Sequence, residues 1–166
     1  MVEALLEQLI TNFSYLGVFI SSLVASASII IPLPAPLIPV VAVLLKLNPI
    51  LTSVLAATGS MIGEMAGYGL GMVGGKATKG MFKKHRNQIK TIKKYYNKYA
   101  FWVIFVTAFL FFPFDLVGII SGLSRYDVRK FLLAGFLGKF LKTLLTFYLV
   151  QNGINIFGFT GDFAGV

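Results

Sequence analysis

Apolar residues run along this chain in long blocks, and the polar residues and prolines between them mark its elements. In residues 1–12, Val2, Leu5, Leu6, Leu9 and Ile10 share one helical face while Glu3 and Glu7 share the other, which predicts a short helix lying on a membrane surface. Residues 15–47 are apolar but are interrupted at "PLPAPLIP", where Pro32, Pro34, Pro36 and Pro39 forbid a continuous helix. The flanks are either two full spans or the arms of a re-entrant hairpin. Residues 50–73 can span, at about 36 Å for some 24 residues. Pro49 suits its first turn and Asn48 its N-cap. In residues 76–99, Phe82, Ile89, Ile92, Tyr96 and Tyr99 recur at helical spacing among basic residues. That segment reads as a linker helix, resting on an anionic leaflet or solvated. Residues 100–123 are apolar around "FFPFD", and Pro113 divides them into arms of about 18 Å, a little over half a hydrocarbon core. They read as a second re-entrant hairpin. "SRYDVRK" connects it to a second full span at 131–152, and a Gly-rich tail follows at 153–166.

Charge gives this series a direction. Basic residues cluster between Lys76 and Lys98, a stretch with no acid, so the 76–99 linker is expected on the cytoplasmic side. A hairpin at 100–123 returns the chain to that side and keeps Arg125, Arg129 and Lys130 inside. Both termini are then outside. Shifting the chain by about 79 residues pairs Pro34 with Pro113, Lys46 with Arg125, Asn48 with Asp127 and Gly59 with Gly138. The two hairpins open on opposite sides, which is the pattern of an inverted repeat. The expected fold class is therefore all-α and integral to the membrane: two re-entrant helical hairpins, each followed by a transmembrane helix, with surface amphipathic helices, in a single domain over 1–166.

Composition narrows the function classes. The 166 residues are 57% hydrophobic and only 13% charged, with a mean hydropathy of +0.82. A soluble domain of this size could not bury so much apolar surface. The net charge of +9 comes mainly from the linker and does not call for nucleic acid as a partner. With no cysteine and one histidine, His85, the chain offers no Cys/His metal cluster and no Ser-His-Asp triad. No metal, cofactor or catalytic residue is expected, and the protein is not expected to be an enzyme.

Two helices carry the candidate chemistry. In "GSMIGEMAGYGLGMVGG", Gly59, Gly63, Gly67 and Gly71 recur every fourth position and form a face that admits another backbone. Ser60, Glu64 and Tyr68 lie on or beside that face, so Glu64 is expected to point into the protein. In the second span, Gly135, Gly138, Lys139, Lys142, Thr143 and Thr146 are the small and polar positions. A lysine deep in a span costs roughly 2–4 kcal/mol on insertion scales. Asp115 lies at a similar depth, at the tip of the second hairpin. Glu64, Asp115, Lys139 and Lys142 are therefore expected to meet near the bilayer midplane. They would form either salt bridges that fix the fold or a polar cavity for an ion, a proton or a lipid headgroup.

These residues resemble the DedA family, the bacterial and archaeal branch of the VTT (SNARE-associated) domain superfamily. The resemblance covers roughly residues 15–150. It rests on the proline-rich first hairpin, on Gly63, Glu64, Tyr68 and Gly71 in a "G-[D/E]-x-x-x-Y-x-x-G" pattern, and on Phe109, Pro113, Gly122, Phe131, Gly138 and Lys139. The second half is similar to a YqaA-like subgroup. Ala35 and Pro36 stand where many members have glutamate, and Leu110 and Leu116 where many have arginine. Asp115, Lys139 and Lys142 are the residues available to substitute for them.

The resemblance implies a lipid flippase or scramblase in the cytoplasmic membrane of a bacterium or archaeon. Its substrate would be a phospholipid or a polyprenyl-phosphate-type lipid, with proton or sodium coupling as an option. Membrane lipids are the expected partners, with anionic headgroups at the linker. Free glycine surface would also allow a homodimer. A small-ion or solute transporter using the same cavity, and a non-transporting scaffold, are the alternatives.

Overall fold

The computed structural model describes residues 14–27, 37–77, 86–110 and 114–152. They form six helices: α1 (Tyr15–Ala27), α2 (Leu37–Leu44), α3 (Pro49–Ala77), α4 (Arg86–Phe109), α5 (Phe114–Ser124) and α6 (Val128–Gln151). The surface helix expected at 1–12, the prolines Pro32, Pro34, Pro36 and Pro113, and the tail after Asn152 lie outside the described residues. Pro39 falls in the first turn of α2, where its missing N–H has no intrahelical role.

Two helices are long and apolar enough to cross a membrane: α3 over Pro49–Gly74, and α6. Helices α1 and α5 are shorter, with 13 and 11 residues. The boundary expected between a linker at 76–99 and a hairpin at 100–123 is not a helix end, because α4 runs unbroken from Arg86 through Tyr99 and Ala100 to Phe109. The physical reason is local. No proline or glycine occurs between Arg86 and Phe109, so a change from basic to apolar composition leaves the helix intact.

The same turn is built twice. Helix α2 ends where Lys46 adopts a left-handed conformation, φ 52°, and α5 ends where Arg125 does the same, φ 52°. In the first, Lys46 N–H donates to Val43 O and Leu47 N–H to Ala42 O. In the second, Arg125 N–H donates to Gly122 O and Tyr126 N–H to Ser121 O. Each is a Schellman cap, which satisfies carbonyls left over at a helix end. A side-chain cap then starts the next helix. Asn48 Oδ1 accepts from Ile50 and Leu51 N–H at 3.0 and 3.1 Å, and Asp127 Oδ1 accepts from Lys130 N–H at 3.0 Å. Leu47 and Tyr126, one residue past the left-handed position in each turn, pack into separate apolar clusters. The turns α2–α3 and α5–α6 thus share both Schellman bonds and one side-chain cap bond at one constant separation along the chain, and Asn48 makes a further cap bond to Ile50.

Helix α3 packs against α1, α2, α5 and α6, and α6 packs against α2, α3 and α4. Close approach is possible because glycines remove side chains where backbones meet. A Cβ on Gly59 would strike Phe19 O of α1, and one on Gly63 would lie 2.5 Å from Leu23 O. Farther along α3, a Cβ on Gly71 would strike Ile119 O of α5. Gly122 of α5 meets Tyr68 O in the same way, and on α6 a Cβ at Gly138 would lie 2.5 Å from Phe105 O of α4. Gly67 is looser, with Asp115 O at an ordinary 3.6 Å.

The polarity of the fold is turned outward. Among the described residues, the buried set includes Ser21, Ser22, Thr52, Ser53, Glu64, Ser121, Lys139 and Thr146 along with many alanines. Many large apolar side chains also face outward: Ile62, Met65 and Leu70 on α3, Trp102 and Val106 on α4, and Leu133, Leu137, Leu141 and Leu145 on α6. In water such a surface would associate. In a bilayer it is the stable arrangement, because helix contacts there favour small residues and lipid covers the large ones.

Candidate functional site

Helices α3 and α6 run antiparallel. Tyr68 lies against Phe131 with ring centroids 5.2 Å apart, Met61 abuts Gly135, and Ser60 meets Lys139. Descending α3 from 68 to 60 therefore ascends α6 from 131 to 139. The site lies where they touch, near the middle of α3.

Lys139 reaches across this contact. Its Nζ donates to Glu64 Oε1 at 2.7 Å and to Ser60 Oγ at 2.5 Å. Both partners of the ion pair are almost fully enclosed, with side chains 9% and 5% exposed for Lys139 and Glu64. The ammonium also lies 4.8 Å from the centroid of the Phe114 ring, within cation–π range. Ser60 Oγ is in turn 2.5 Å from Ser26 Oγ on α1. An ammonium can only donate, so Ser60 accepts from Lys139, and the Ser60–Ser26 bond can run in either direction. Four helices thus contribute to one polar cluster.

The local sequence explains the placement. Ser60 and Glu64 are one turn apart on α3, so they share a face. Gly63 lies between them and brings the backbone of α1 close at Ser26 and Ala27. Phe114 opens α5 and stacks on Phe131 of α6, with centroids 5.9 Å apart and planes 27° apart, and this fixes the ring toward Lys139. The C-terminal end of α1 and the N-terminal end of α5 therefore both meet α3 at the level of Glu64.

Of the residues singled out from sequence, the structure brings Glu64 and Lys139 into direct contact. Asp115 and Lys142 lie within electrostatic reach of that pair, and both are partly buried. Tyr68 lies beside the cluster. Its hydroxyl donates to Tyr126 O at 2.5 Å, which pins α3 to the α5–α6 turn. One carboxylate oxygen, Glu64 Oε2, is buried with no hydrogen-bond partner among the described residues. Sequence reasoning placed Ser60 on or beside the glycine face with Glu64 without selecting it as a site residue, and it did not single out Ser26 or Phe114. The one available signal was the spacing of Ser60, a single turn before Glu64 on the same face.

Outward-facing apolar side chains, and an enclosed ion pair where the two helices long and apolar enough to span a bilayer meet, are the features of a membrane protein. Residues 13–152 match the VTT domain family, and the chain belongs to that family. The family is membrane-associated, in keeping with the outward-facing apolar surface. Comparison with curated proteins and with solved structures returned no match.

Proposed function

We propose that the protein moves lipids between leaflets as a flippase or scramblase of the DedA type, YqaA-like, in the cytoplasmic membrane of a bacterium or archaeon. The observation that carries this reading is the enclosed polar cluster at the α3–α6 contact, near the middle of α3. A headgroup crossing a bilayer needs such a polar path, while its tails stay in lipid beside the protein. The proposed architecture is an inverted repeat of two re-entrant hairpins. The repeated Schellman turns support it, and so does the Ser60–Lys139 bond, whose partners are 79 residues apart, the same separation that relates the turns. When a residue touches its own counterpart, a two-fold axis passes between them, so the cluster would lie on the pseudo-axis.

In this reading Lys139 is engaged by Glu64, and Lys142, one turn further along α6, attracts the anionic part of a phospholipid or polyprenyl-phosphate-type lipid. Asp115 balances charge. The protein performs no covalent chemistry and uses no cofactor. The basic linker lies on the cytoplasmic leaflet against anionic headgroups, and both termini lie outside.

The test is reconstitution in liposomes with a fluorescent phospholipid and an impermeant quencher added outside. Wild-type protein should expose inner-leaflet probe. Glu64→Gln and Lys142→Met should slow this about tenfold or more, a barrier change of roughly 1.4 kcal/mol, in protein that still elutes as folded and helical at the assay temperature, Glu64→Gln with a lowered melting temperature. Ion flux without lipid movement would favour the small-ion transporter. The buried ion pair gives the scaffold reading a specific footing. That reading prevails if neither lipid nor ion moves and the variants only unfold.

A further inference from the structure

The surroundings of Lys139 Nζ are those of a cation site rather than of an ordinary lysine. A hydroxyl oxygen, a carboxylate oxygen and an aromatic face surround the ammonium, at 2.5 Å, 2.7 Å and 4.8 Å to the ring centroid. Each is also a ligand type for an alkali cation. A second carboxylate oxygen, Glu64 Oε2, is buried in a residue only 4% exposed and has no hydrogen-bond partner among the described residues. Oxygen ligands are thus in excess of what the ammonium uses. Ser26 and Ala27 of α1 approach α3 closely at Gly63.

We propose that the Lys139 ammonium is a tethered cation seated in a monovalent-cation site formed by Ser60, Glu64 and the Phe114 ring, and that removing the amine converts the position into a site for free sodium or potassium. The inference stands on this geometry and goes beyond the lipid-transport reading. It also assigns a consequence to the intact protein. With its cation covalently supplied, the centre of the fold is complete in the absence of alkali metal.

The test compares Lys139→Ala and Lys139→Ser with wild type, purified in detergent in sodium chloride and exchanged into choline chloride of equal ionic strength. Thermal unfolding is followed while sodium or potassium replaces choline. Both variants should melt lower than wild type in choline. They should recover in a saturable way, by about 4 °C at tenfold the dissociation constant. Wild type should not respond to the exchange. Glu64→Gln/Lys139→Ala, which lacks the carboxylate, should lose the recovery. The proposal is overturned if wild type shows the same sodium response or if neither single variant responds. It also fails if the double variant recovers with the same midpoint, or if neither variant accumulates folded in cells grown in sodium-rich medium. Unfolding needs no lipid substrate, so these outcomes are independent of the liposome assay.

Discussion

At the scale of single residues, the energetics of Glu64 and Lys139 are those of a pair. Together they neutralise one another across 2.7 Å. Alone, either leaves an uncompensated charge in a site that excludes water. Removing one partner of a buried pair costs roughly 3–5 kcal/mol, whereas replacing both by groups of similar size is often close to neutral. In sodium-free buffer, Lys139→Met should therefore be much less stable than Glu64→Gln/Lys139→Met, and the double variant should approach wild type. A double-mutant cycle on thermal or denaturant unfolding in detergent measures this, and additive losses would contradict it. The charged members of the cluster were legible in sequence because ionisable residues are rare in apolar helices and call for a partner. Which residue partners which was not, because helical periodicity gives the direction of a face but not the neighbour it meets. Ser26 and Phe114 were invisible for a simpler reason: a serine or a phenylalanine in an apolar helix is ordinary.

At the scale of elements, the glycines of α3 separate into those that hold the fold and those that do not. The ladder was legible as a packing face, but its division between two partners was not. Steps of four residues turn the face by about 40° each, so Gly59 and Gly63 meet α1 while Gly71, three turns beyond Gly59, meets α5. Gly71→Ala should force α3 and α5 apart, because its Cβ would run into backbone at Ile119, and should cost roughly 1–3 kcal/mol. Gly69→Ala, with nothing within 4 Å of the new Cβ, should instead stabilise α3 by up to about 1 kcal/mol through helix propensity. Melting temperatures of the two variants in detergent should move in opposite directions. A matched loss in both would mean that the α3–α5 contact is not what Gly71 serves.

At the scale of the whole molecule, the membrane character and the all-helical class followed from apolar length and composition. The proposed repeat rests, in sequence, only on a few matched residues, because apolar sequences coincide by chance and the hydrogen bonds shared by the two turns leave little trace in residue identity. The proposed inverted arrangement makes a sided prediction that the folded chain alone does not. Ile50 and Arg129 occupy equivalent exposed positions in the first turns of α3 and α6, the two helices that run antiparallel. An inverted repeat places these turns on opposite faces of the membrane, with Arg129 inside in accordance with the distribution of basic residues. Since the chain has no cysteine, Ile50→Cys and Arg129→Cys each introduce a single thiol. An impermeant maleimide applied to right-side-out vesicles should label Ile50→Cys and spare Arg129→Cys, and inverted vesicles should reverse the result. Labelling of both from the same side would remove the two-fold relation. The Ser60–Lys139 contact would then be a chance juxtaposition rather than the centre of two oppositely oriented halves.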